Sequence, residues 1–99
     1  MNGDDHSDHS TRRARVCISG RVQGVFFRDS ARKRAEGFDL AGWVKNLPDG
    51  RVEVLFEGST RNVRRMVDWC KQGPAQASVE RVDTVFEEAR GDLEGFKVR

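Results

Sequence analysis

The apolar residues of this chain follow two different spacings, and the order of these spacings limits the folds that it can adopt. Alternation or a short apolar run, typical of strands, marks four segments: residues 15–19, 40–47, 51–57 and 78–87. Apolar residues recur at helical spacing in two others, residues 27–38 and 63–70. Phe96 and Val98 indicate a short closing strand. The order β-α-β-β-α-β predicts a ferredoxin-like α+β sandwich, an antiparallel sheet with both helices on one face.

Turn and capping residues separate these elements. Pro-Asp-Gly at 48–50 predicts a turn between the second and third strands. Ser-Thr at 59–60 supplies an N-cap for the second helix, and Gly-Pro at 73–74 ends it. The apolar residues of the fourth strand change phase within 79–82, which predicts a β-bulge.

Residues 1–13 differ from the rest of the chain. They contain no periodic apolar residues and are rich in Asp, His, Ser and Gly, which predicts a disordered tail ahead of one domain at 14–99. His6 and His9, with nearby aspartates, invite a metal hypothesis. A tail without fixed structure would hold such ligands poorly, so we predict no metal and no cofactor.

The composition argues against several classes of function. A formal net charge of +2 is too small to indicate nucleic acid or a membrane surface as a partner. No apolar run approaches the length of a membrane span, and no secretory signal is present. Cys17 and Cys70 fall in a predicted strand and helix, which favours a reduced protein over a disulfide scaffold. We therefore expect a cytoplasmic monomer with a small-molecule partner.

The segment G-R-V-Q-G-V-F-F-R at 20–28 joins the first strand to the first helix and predicts an anion-binding loop. Gly20 and Gly24 allow the backbone to turn inward, so that successive N–H groups converge at the positive end of the helix dipole. Arg28 follows where the helix begins, and its guanidinium can bind phosphate oxygens through two hydrogen bonds. The structural alternative is a glycine turn followed by a surface arginine.

Asn46 ends the second predicted strand, G-W-V-K-N, where asparagine is uncommon. It could bond to nearby backbone at the turn, or its amide could orient a water molecule or a substrate. If the first and second strands lie side by side, Asn46 comes close to Arg28.

These two segments together resemble the two signature motifs of the acylphosphatases. Further agreement is found in five segments, at 49–54, 66–70, 73–74, 77–82 and 95–99, so the resemblance covers the chain from about residue 15 to its end. It implies a ferredoxin-like fold and hydrolysis of the carboxyl–phosphate bond of acyl phosphates to a carboxylate and inorganic phosphate. It also implies that Arg28 binds the phosphate and that Asn46 positions the attacking water.

Residue types that are absent support the same chemistry. A cysteine phosphatase needs Cys-x5-Arg, but Gln23 and Gln76 stand six residues after Cys17 and Cys70. Residues 14–99 contain no histidine, and no group of carboxylates surrounds either motif. An acyl phosphate releases a weakly basic carboxylate and needs no general acid. Positioning and charge stabilisation can therefore carry most of its catalysis.

We accordingly predict a metal-independent mechanism without a phosphoenzyme. The phosphoryl oxygens bind the loop N–H groups of Gln23, Gly24, Val25, Phe26 and Phe27. Arg28 neutralises their charge, Asn46 holds a water in line, and a phosphoryl oxygen accepts the proton because an amide is not basic enough. Inorganic phosphate is then both product and competitive ligand.

Two alternatives from other classes remain at this stage. One is an anion-sensing domain that keeps the phosphate socket without turnover. The other is an RNA-binding module of the same fold, which would stack bases on its central strands. Glu53 and Glu57 on the middle strand would repel a phosphate backbone and disfavour RNA.

Overall fold

Seven elements of secondary structure follow one another in residues 10–99, the part of the chain that this computed structural model describes. In chain order they are β1 Thr11–Arg21, α1 Phe27–Gly37, β2 Ala41–Asn46, β3 Val52–Ser59, α2 Thr60–Gln72, β4 Ser78–Glu87 and β5 Phe96–Val98. This is the predicted β-α-β-β-α-β order with the short closing strand, so the ferredoxin-like fold is confirmed. Neither of the described helices has the length and apolar composition needed to cross a membrane.

The strands form one sheet in the order β4-β1-β3-β2-β5. β1 pairs antiparallel with β3 and β4, and β2 pairs antiparallel with β3. The prediction of an antiparallel sheet therefore holds for four strands, whereas β5 adds parallel to β2 at the edge. This arrangement arises because residues 88–95 carry the chain from one edge of the sheet to the other.

The core lies between the sheet and the two helices. Alternate residues of the central strands share the covered face and are fully buried: Val16, Ile18, Val44, Val52, Val54 and Phe56. The helical stripe predicted for α2 is buried at every position, at Val63, Met66, Val67 and Cys70. α1 contributes Phe27, Ala31 and Ala35. Burial of these apolar side chains is the main favourable term in the stability of such a small domain.

The helix cap, the helix end and the β-bulge lie where the sequence predicts them. Ser59 caps α2, since its hydroxyl accepts a hydrogen bond of 3.1 Å from the Asn62 N–H, and Gly73 ends the helix. The predicted bulge occurs in β4, where the pairing register with β1 shifts and Glu80 is left without a partner residue. Gly20 lies opposite this bulge with φ +125°, and a Cβ there would stand 2.2 Å from the Ser78 carbonyl oxygen.

The predicted tail of residues 1–13 extends too far, because β1 begins at Thr11. Arg13 is 3% exposed inside this strand, so a charged residue occupies a buried position that apolar periodicity does not reveal. Residues 1–9, with the metal hypothesis for His6 and His9, lie outside the described residues.

Arg13 joins the uncovered face of the sheet to the 88–95 connection. Its Nε donates to Glu57 at 2.9 Å, and its Nη2 donates to Asp92. Glu57 also accepts from the backbone N–H groups of Arg90 and Gly91 at 2.9 and 2.8 Å. Burial alone would raise the pKa of Glu57, but these N–H groups and Arg13 lower it. The Arg13 hydrogen bond likewise lowers the pKa of Asp92. The 88–95 connection, which leads to β5, is therefore held by the hydrogen bonds and ion pairs of Arg13 and Glu57.

Candidate active site

Residues 22–26 form the loop between β1 and α1, and two apolar side chains anchor it. Val22 and Val25 are buried in the core, at 1% and 4% exposure. Between and after them, Gly24 and Phe26 take left-handed backbone conformations, with φ 75° and 60°. Gly20, predicted as part of this turn, instead belongs to β1 opposite the bulge. The turn thus depends on Gly24 and Phe26.

The backbone N–H groups of residues 23–28 surround the beginning of α1. Within residues 10–99 the structure records no protein acceptor for any of them, and no side chain caps the helix. The first N–H groups of a helix carry partial positive charge and need an acceptor from outside the helix. Their position favours an anion, as the sequence predicted for this loop.

Gln23 fixes the loop through its side chain, a role that sequence analysis missed. Its Nε2 donates to the carbonyl oxygens of Leu47 at 2.8 Å and Arg51 at 2.9 Å. Both acceptors belong to the connection between β2 and β3. No local pattern could reveal this contact, because its partners are 24 and 28 residues away.

Asn46 reaches the same region, but not by the predicted pairing. β1 and β2 are not neighbours, because β3 lies between them. Asn46 pairs with Val52 and, two residues after Val44, shares the face of β2 that the helices cover. It lines a cleft of about 450 Å³ together with Arg28. Among the described residues, its side-chain amide has no recorded hydrogen-bond partner.

Arg28 is held in place by the segment after β5. Its Nη1 donates to the backbone oxygen of Arg99 at 2.8 Å. Arg99 is itself fixed, since its N–H donates to the Val44 carbonyl oxygen at 2.8 Å and its guanidinium lies 4.7 Å from the centre of the Trp43 ring. Val98 lines the cleft beside it. No local sequence pattern connects this segment with Arg28.

Two further charged residues of α1 line the cleft and were also missed. Asp29 accepts from Arg32 at 3.0 Å and pairs with Lys33 at 3.3 Å. Lys33, followed by Arg32, holds the pKa of Asp29 below its usual range. Only the i, i+3 and i, i+4 spacing of these residues signals the contacts in sequence. The Asp29 carboxylate in the cleft is therefore charged and compensated.

The cleft offers donors but little else for catalysis. Cys70 is buried in α2, and burial raises the pKa of its thiol. Cys17 pairs with Glu53 on the uncovered face of the sheet, away from the helices. Within residues 10–99, no three His, Cys, Asp or Glu side chains stand close enough together to hold a metal ion. The arrangement can bind an anion and orient a water, and it presents no cysteine nucleophile.

Comparison with known proteins gives one consistent result. The family model described as acylphosphatase matches residues 14–98. An acylphosphatase of Rubrobacter xylanophilus is 56% identical over 93 residues, which is 94% of this chain and 84% of the relative. One of Roseiflexus is 54% identical over 86 residues, 87% of this chain and 92% of the relative. The solved acylphosphatase of Coxiella burnetii superposes with a TM-score of 0.86 at 40% identity, covering 94% of this chain and 97% of that one.

Proposed function

The chain belongs to the acylphosphatase family and acts on acyl phosphates, and from this premise we propose how its residues carry out the hydrolysis. The cleft between the 22–26 loop, α1 and the end of β2 is the catalytic site. One observation carries the proposal: loop N–H groups for which residues 10–99 supply no acceptor, the Arg28 guanidinium and the Asn46 amide surround one cleft.

The phosphoryl group binds at the loop. Its oxygens accept hydrogen bonds from the backbone N–H groups of Gln23, Gly24, Val25, Phe26 and Phe27. Within residues 10–99, Arg28 uses only Nη1, for the backbone oxygen of Arg99, so Nε and Nη2 remain to bind phosphoryl oxygens. The contact with Arg99 therefore orients the guanidinium without exhausting its donors.

Asn46 positions the water that attacks phosphorus. Its amide is unoccupied by protein groups among the described residues, so its oxygen can accept a hydrogen bond from the attacking water and hold it in line. A side-chain amide is not basic enough to remove the proton, which therefore passes to a phosphoryl oxygen of the substrate. The bond from water oxygen to phosphorus forms as the phosphorus–carboxylate bond breaks.

The proposed reaction needs neither a metal ion nor a covalent intermediate. The departing carboxylate is a weak base and leaves without a general acid. Charge on the phosphoryl oxygens is stabilised by the loop N–H groups and Arg28, which are already in place before the substrate binds. Inorganic phosphate, the product, competes with the substrate for the same donors.

Hydrolysis of benzoyl phosphate in excess chelator tests this proposal. We expect full activity for the parent protein under these conditions. Asn46→Ala should lower kcat by roughly 10²–10³ while the inhibition constant of inorganic phosphate changes little. Arg28→Ala should weaken phosphate binding by roughly 10- to 150-fold, since hydrogen bonds to charged groups contribute about 1.5–3 kcal/mol.

Arg64→Ala is the matched control, because this exposed arginine lies on α2 and does not line the cleft. It should leave both constants unchanged. Full activity of Asn46→Ala would refute the positioning of water, and complete loss of the parent's activity in chelator would refute metal independence.

We propose further that the protein acts as a monomer in the cytoplasm. Both cysteines are free thiols, which suits a reducing compartment.

A further inference from the structure

Phe26 is a large apolar residue at the edge of the cleft, and the mechanism above uses only its backbone. On the basis of the proposed function, we infer that its ring determines acyl-group specificity by contacting the acyl part of the substrate. The residue would favour apolar, and especially aromatic, acyl phosphates over small ones.

The backbone conformation at this position does not suit a phenylalanine. Phe26 has φ 60° and ψ 27°, in the left-handed region. Side chains with a Cβ adopt this region at a cost in free energy, and for a bulky residue it is unusual. Glycine would avoid this cost, as it does at Gly24 in the same loop, where φ is 75°. Backbone strain of this kind is concentrated at functional sites.

Packing within the protein does not explain why residue 26 carries an aromatic ring either. Val25 and Phe27 point into the core, at 4% and 2% exposure, whereas Phe26 is 76% exposed. It is the most exposed of the large hydrophobic side chains in the described residues. An aromatic ring left in water at a strained position contributes little to the folded state, so its contribution has to come from a contact made with something else.

The position of the ring indicates what that contact is. Phe26 lines the same cleft as Arg28 and Asn46, and Val22 and Val98 add apolar surface to it. In-line attack places the water and the acyl oxygen on opposite sides of the phosphorus atom. With the phosphoryl oxygens bound at the loop N–H groups, the acyl group therefore projects away from these N–H groups. An apolar acyl group that extends from the bound phosphoryl group along the edge of the cleft would cover the exposed face of Phe26. Aromatic pairs in such contacts gain more than their buried area alone provides.

Phe26→Asn tests the inference, since asparagine tolerates the left-handed conformation but lacks the ring. Parent and variant are compared with benzoyl phosphate and acetyl phosphate as substrates. We expect kcat/KM for benzoyl phosphate to fall roughly three- to ten-fold more than the value for acetyl phosphate does, mainly through KM. The urea midpoint of the variant should equal or exceed that of the parent.

Phe86→Asn is the control, because it removes another exposed ring, 45% exposed in β4, that does not line the cleft. Its ratio of kcat/KM values for the two substrates should equal that of the parent. An unchanged ratio in Phe26→Asn, or an equal loss for both substrates, would overturn the inference. Failure of the parent to hydrolyse either substrate would instead refute the proposed function, so the two failures are distinguishable.

Discussion

Replacing Gln23 by leucine removes the amide that ties the phosphate-binding loop to the β2–β3 connection while keeping a side chain of similar size. In the parent, Nε2 donates to the carbonyl oxygens of Leu47 and Arg51 at 2.8 and 2.9 Å. We expect Gln23→Leu to lower both the free energy of unfolding and the affinity for phosphate, because the loop loses the only side-chain hydrogen bonds that it makes within the described residues.

The expected loss of stability follows from what the two carbonyl groups retain. Leu47 O still accepts from the Gly50 N–H at 3.1 Å, and Arg51 O still accepts from the Leu47 N–H at 2.8 Å. Neither acceptor is therefore left without a donor, and the larger penalty for an orphaned buried group does not apply. Two ordinary hydrogen bonds then contribute about 1–3 kcal/mol together.

Urea unfolding followed by the fluorescence of Trp43 and Trp69 measures this change, and calorimetric titration with inorganic phosphate measures the affinity. Gln76→Leu is the matched control, because Gln76 is exposed and has no recorded hydrogen bond among the described residues. It should behave as the parent does. If Gln23→Leu unfolds at the parent's urea concentration, the tie does not stabilise the fold. If stability falls but phosphate affinity does not, the tie does not position the loop.

Two further predictions concern acid and backbone strain. Because the folded-state pKa values of Glu57 and Asp92 are lowered, their contribution is complete above their ordinary pKa values, near 4, and is lost as pH falls through the lowered values. Urea midpoints measured from pH 7 to pH 2 should therefore fall below about pH 4, and Glu57→Gln should flatten this fall. Gly20→Ala places a Cβ 2.2 Å from the Ser78 carbonyl oxygen at φ +125°, and should destabilise the protein by more than about 2 kcal/mol in the same assay. Gly24→Ala, with nothing within 4 Å of its Cβ, should lose only about 1–2 kcal/mol.

The fold could be predicted because its elements are encoded locally. The phase change in β4 signalled a bulge, and the apolar stripe of α2 signalled a buried helix face. The first strand was predicted to begin only at residue 15, because the burial of Arg13 is not encoded locally. Its burial depends on Glu57 and Asp92, which are 44 and 79 residues away, and periodicity contains no information about such partners.

Part of the candidate site, the proximity of Asn46 to Arg28, was predicted from a strand pairing that does not occur. Asn46 and Arg28 line one cleft, but β3 separates the strands that were expected to touch. Motif resemblance pointed to both residues, and the topology of the sheet brings them to the same cleft. Two contacts that support the candidate site were not predicted, namely that of Gln23 with the β2–β3 connection and that of Arg28 with Arg99. Each joins a side chain to a backbone oxygen that is distant in the sequence.

The bond between Arg28 and Arg99 has a consequence for biosynthesis. Its partners are 71 residues apart, a distance that a ribosome covers in roughly 4–14 s at ordinary rates of translation. A nascent chain in which α1 has just been synthesised therefore lacks the partner that orients the guanidinium. Hydrolytic competence should arise only after the final strand has emerged and joined the sheet.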